Sequence, residues 1–128
     1  MSQEAAKTAL WALIPDLFLR VRVEALARAA GMPIRAFPTP AAVIAALDAP
    51  AERPRAVVVD LHARDDAAFT LLAALSARTD APPTLGFHSH VDVPIRERAR
   101  AAGCTKVVPR SALMNRFAEL VAEVGAPD

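Results

Sequence analysis

Asp60 closes the run Ala56-Val57-Val58-Val59-Asp60-Leu61, the clearest buried-strand pattern in the chain. A carboxylate at the end of such a run can cap a turn, pair with a cation such as Arg110, or take part in binding. His62, His88 and His90 add imidazoles, and Asp16 and Asp92 add carboxylates, near the ends of other apolar segments. Imidazole and carboxylate ligands together suit zinc, nickel or copper. His88 and His90 share a side only where an extended strand runs on through both. Loop histidines without any metal are the plainer reading. Cys104 is the single cysteine, which excludes an internal disulfide and a cysteine-based zinc cluster. No nucleophile–base pair, P-loop or glycine-rich dinucleotide loop is present, and the four glycines are scattered. An enzyme is not expected. A small metal- or nucleotide-binding protein stands as one alternative.

Alternating strands and helices must position these residues. Thr8–Ile14 is a nearly continuous apolar run of strand length, as in a strand covered on both faces. Asp16 can cap a helix over Leu17–Ala30, whose inward stripe is expected to be Phe18, Val21, Ala25, Leu26 and Ala29. Gly31 suits the position after that helix. Met32–Phe37 reads as a short strand, with Pro33 at its start. Thr39-Pro40 opens a helix over Ala41–Leu47, and the Ala49–Pro54 turn follows. After the strand ending in Asp60, Arg64-Asp65-Asp66 forms a polar loop with a cap, then Ala67–Ala77 a helix. Thr84–His88 is a fourth strand, Val93–Ala102 a helix capped by Asp92 and closed by Gly103, and Lys106–Pro109 a fifth strand. Ser111 is expected to cap one last helix, Ala112–Val124, with Leu113, Phe117, Leu120, Val121 and Val124 inward.

Strands alternating with helices imply a parallel sheet covered on both faces, with right-handed crossovers. The expected fold is α/β: a doubly wound five-stranded parallel sheet of flavodoxin-like order 2-1-3-4-5. Its crevice lies at the carboxyl ends of the strands, which gathers Pro15, Asp16, Asp60, His62, His88, Ser89, His90, Pro109 and Arg110 along one edge.

Length and composition agree with one domain over residues 1–128. The hydrophobic fraction is 54%, enough for a core, and the formal net charge is +1. That balance argues against an electrostatic nucleic-acid partner. The most apolar windows, Ala36–Leu47 and Ala67–Ala77, are shorter than the roughly 20 residues a bilayer needs. Glu4 and Pro15-Asp16 do not fit a signal peptide. No membrane partner is expected, and a cytoplasmic location is.

The run Ala56–Leu61 ending in Asp60, the segment Lys106-Val107-Val108-Pro109-Arg110-Ser111-Ala112-Leu113, and Ala99-Arg100-Ala101-Ala102-Gly103-Cys104 before it resemble a response-regulator receiver domain over essentially the whole chain. The resemblance, of the chemotaxis-regulator kind, implies that Asp60 is equivalent to the phospho-acceptor. In that family an acidic pair after the first strand holds Mg²⁺ with the acceptor. A Ser/Thr after the fourth strand and a Lys after the fifth contact the phosphoryl group. Here Ile14-Pro15-Asp16 leaves one carboxylate, Asp16, at the acidic pair. His88 or Ser89 takes the Ser/Thr position, and Arg110 takes the Lys position. Arginine keeps the charge but is a planar fork, not a compact ammonium. The fifth strand also lacks the Tyr or Phe of the family's rotameric switch.

The chain therefore resembles a degenerate, pseudo-receiver domain. The expected function is a stand-alone, non-catalytic interaction module independent of phosphorylation, without a cofactor. Its partner would be another signalling protein, such as a histidine kinase or a scaffold, or a second copy of the chain. Arg96 and Arg100 on the fourth helix would face that partner, by the i,i+4 spacing that puts them on one side. Arg110 is expected to reach Asp60 or Asp16 as a constitutive charge pair. The alternative is a genuine phosphorelay receiver that uses Asp60 with Mg²⁺.

Overall fold

The structure, a computed structural model, describes residues 9–49, 53–89 and 92–125. Its core is the run of valines and its neighbours. Strands β1 (Leu10–Leu13), β3 (Ala56–Asp60) and β4 (Thr84–His88) are buried at every residue. Each is covered on both faces, which is why their sequences run apolar rather than alternating. With β2 (Ile34–Phe37) and β5 (Lys106–Pro109) they form one parallel sheet of order β2-β1-β3-β4-β5. The expected doubly wound α/β fold is the one found.

Successive strand residues feed opposite cores. Trp11, Leu13, Val57, Val59 and Leu61 pack under helices α2 (Pro40–Asp48), α3 (Ala67–Ser76) and α4 (Val93–Ala101). Leu10, Ala12, Val58, Leu85 and Phe87 pack on the other face with α1 (Leu17–Ala29), α5 (Arg110–Asn115) and α6 (Phe117–Gly125). Three helices start where the sequence places their caps. Asp16, Thr39 and Asp92 accept from the backbone N–H of Leu19, Ala42 and Ile95 at 3.0, 3.1 and 3.1 Å. Gly31 and Gly103, at φ +72° and +96°, turn the chain out of α1 and α4.

Three local expectations are corrected. The inward face of α1 is Leu19, Val23, Leu26 and Ala27, whereas Phe18 and Val21 are 82% and 51% exposed. Apolar residues surround the first turns of α1, so helical periodicity alone admits more than one phase. Packing against the sheet and α6 selects the i, i+4, i+7, i+8 stripe. Asp66 does not cap α3 with its side chain. Asp65 and Asp66 instead stand consecutively in the left-handed region at φ +58° and +59°, which aspartate tolerates better than most residues. The last helix is two helices, broken at Arg116, and Ser111 is not its cap. Pro109, extended at ψ 154°, precedes Arg110 directly, so α5 starts two residues earlier than a Ser111 cap would place it. Arg116 at the break pairs with Glu119 and Glu123 of α6. The inward set Leu113, Phe117, Leu120, Val121 and Val124 is buried as expected.

Candidate functional site

Parallel strands deliver their following loops to one edge of the sheet. There the segments after β1, β3, β4 and β5 enclose a cleft of about 620 Å³. Pro15, Asp16, Asp60, His62, Ser89 and Arg110 line it, with Leu17 and Phe18 at its rim. The expected gathering of Asp16, Asp60, His62, Ser89 and Arg110 is present.

Asp60 is 7% exposed, and its Oδ1 accepts the His62 backbone N–H at 2.9 Å. Burial holds its carboxyl above the ordinary carboxylate range. The His62 N–H bond and the His62 charge pull it back down, the nearby Asp16 raises it, and Arg110 lowers it least. The folded state favours the protonated acid, so this contribution to stability is full below about pH 3.9, the unfolded value. It is lost as pH rises through the raised folded value. Asp60→Asn keeps an oxygen for the His62 N–H and removes the titration. The variant is expected to be more stable than the parent at neutral pH, with the gap closing as pH falls through the acid range. Urea unfolding of both proteins across pH 3–7 measures it, and a constant gap would refute it.

The two candidates for the hydroxyl position separate. Ser89 lines the cleft, while His88 is fully buried and does not. Ser89 follows the end of β4, where the next residue on from the buried His88 turns to the cleft side. His90 lies outside the described residues.

The donors around Asp60 do not fit the family's Mg²⁺ site. Asp16 Oδ1 already accepts the Leu19 N–H. Ile14 is fully buried in the apolar core, and Pro15 brings no side-chain oxygen. Among the described residues, no group of three or more metal-binding side chains forms.

Arg110 corrects another expectation. Among the described residues, no hydrogen bond or ion pair joins it to Asp60 or Asp16. Asp60 is held by its own loop, while the exposed Arg110 side chain lines two adjoining spaces, the Asp60 cleft and a groove toward α4. On α4, Arg100 pairs with Glu97 at 3.6 Å, and the half-buried Arg96 lines the groove instead.

Arg98 is the contact that sequence spacing does not announce. Both its terminal nitrogens reach Asp66, at 2.9 and 2.6 Å, and its guanidinium lies 3.8 Å from the Phe69 ring centre. It fastens α4 to the loop after Asp60. Cys104 is buried against β4 and β5, and burial pushes its thiol up. That agrees with a packing role.

The chain superposes on solved receiver domains. A response regulator receiver protein from Burkholderia phymatum matches at TM-score 0.80 and 20% identity, over 95% of this chain and 98% of that one. A receiver domain of a signal transduction histidine kinase from Syntrophus aciditrophicus matches at 0.80 and 12%, over 93% and 90%. A chemotaxis protein from Vibrio cholerae matches at 0.76 and 15%, over 92% and 98%. No protein-family model and no curated protein sequence matches the chain. The fold is the flavodoxin-like fold that response-regulator receivers adopt. Among the described residues, no helix is long and apolar enough to cross a membrane.

Proposed function

We propose that this chain is a receiver-like signalling module that binds another protein without being phosphorylated or catalysing a reaction. The observation that carries this reading is the poverty of carboxylates beside Asp60. Asp16 is engaged as a helix cap, and Ile14 belongs to the core. Phosphoryl transfer to a carboxylate brings like charges together and needs a cation to offset them. The partner is another signalling protein, a histidine kinase or a scaffold, or a second copy of the chain in the cytoplasm. It meets the face formed by α4, β5 and the last two helices, α5 and α6, with Arg96 and Arg100.

A phosphorelay receiver is the second reading. Ser89 favours it, because a hydroxyl does line the cleft with Asp60 and Arg110. The readings differ in dynamics. A switch needs two states that a ligand distinguishes. β5 offers no aromatic side chain to report on the cleft. Relaxation dispersion over α4 and β5 is expected to be flat, and unchanged by beryllofluoride with Mg²⁺. Exchange across that face that the phosphate mimic quenches would establish the phosphorelay reading instead.

A further inference from the structure

Beyond Arg110, away from Asp60, lies a groove of about 870 Å³. Arg22 of α1, Arg96 of α4 and Arg110 of α5 line it, with Ser111, Met114 and Asn115. Among the described residues, no carboxylate lines it. Among the described residues, none of the three arginines has an ion pair. Arg20, Arg28, Arg55 and Arg64 also lack an ion pair among the described residues, but they do not line this groove. Arg53, Arg78, Arg98, Arg100 and Arg116 each face an acidic side chain. Three guanidiniums around one space repel each other unless an anion enters. In addition, the Nε of Arg96 is enclosed and has no hydrogen-bond partner. An enclosed donor without an acceptor is a standing cost that a bound oxygen removes.

We propose that this groove binds a small phosphate-bearing molecule. One carboxylate is satisfied by a single guanidinium fork. Three forks suit an anion with more oxygens and more charge, and phosphate groups have both. The size lies within the range of small-molecule sites, and Pro109 and Met114 put apolar surface beside the arginines. The net charge of +1 disfavours nucleic acid as the source. This inference stands apart from the phosphorylation state of Asp60 and uses no metal.

The test is an NMR titration of the ¹⁵N-labelled protein at constant ionic strength, with inorganic pyrophosphate in one arm and ATP in the other. Saturable shifts are expected at Arg22, Arg96 and the 110–115 segment in at least one arm. Tighter binding of ATP assigns an organic phosphate, and equal binding assigns phosphate recognition alone; both support the site. Arg22→Ala/Arg96→Ala should weaken binding by about tenfold or more. Arg22→Glu, a change at an exposed position, should do the same with the rest of the spectrum unmoved. Absence of saturable shifts in both arms overturns the proposal. So do equal shifts from sulfate, undiminished binding by the variants, or tighter binding of an oligoglutamate peptide than of either phosphate.

Discussion

Incubated with acetyl phosphate and Mg²⁺, the protein is expected to keep its unmodified intact mass. The reaction would place a phosphoryl group on Asp60, which is already buried and whose carboxyl burial pushes up. Burial disfavours the charged carboxylate, which is the form that attacks, and the incoming phosphoryl oxygens carry charge of the same sign. A divalent ion removes both obstacles, but it needs several hard oxygen donors and keeps the rest of its shell as water. The cleft offers Asp60, a carboxylate partly engaged by the first turn of α1, and the Ser89 hydroxyl. Arg110 lines the cleft without pairing to Asp60, so it is available to a phosphoryl group. That positive charge alone does not replace the cation. The expected contrast with a working receiver is all or none in the mass spectrum. A stoichiometric phosphate adduct, absent from Asp60→Asn, would show that Asp60, Ser89 and Arg110 suffice and would reverse the functional reading.

How far the sequence reached can be argued from single residues. The strand order followed from five apolar runs separated by capped helices, because both faces of such strands must be covered. Asp16, Thr39 and Asp92 were recognisable as caps because capping is a local interaction within one turn. The phase of α1 was not legible. Phe18 and Val23 are both apolar, and only the tertiary packing of Leu19, Val23 and Leu26 decides which one turns inward. At the site, Asp60 and Arg110 were legible from their places after strands. Choosing between His88 and Ser89 required the pleat of β4, where a one-residue difference reverses the face. Arg98 with Asp66, and the meeting of Arg22, Arg96 and Arg110, join residues far apart in the chain. No local pattern encodes such pairs.

Two substitutions at the entrance to α1 should separate structure from chemistry. Ile14 and Pro15 both stand beside Asp16, where the receiver resemblance implies a second acid, yet they occupy different environments. Ile14 is fully buried with Leu10, Ala12 and Val23. Ile14→Asp removes a packed aliphatic side chain and leaves a carboxylate in the core with no cation beside it. The expected loss is about 4 kcal/mol or more, a large part of the total stability of a domain this size. Urea unfolding should show a collapsed midpoint or no cooperative transition. Pro15 is half-buried and lines the cleft. Pro15→Asp should keep the fold, at a cost of about 1 kcal/mol from the freer unfolded chain. Its new carboxylate lies on the same cleft as Asp16 and Asp60, where like charges repel until a divalent ion enters. Mg²⁺ should therefore raise the unfolding midpoint of Pro15→Asp and leave that of the parent where it was, since a ligand of the native state stabilises it by mass action. The same rise in the parent would show that the existing donors already hold the ion. No rise in either protein would show that the acid missing from this site belongs elsewhere than residue 15.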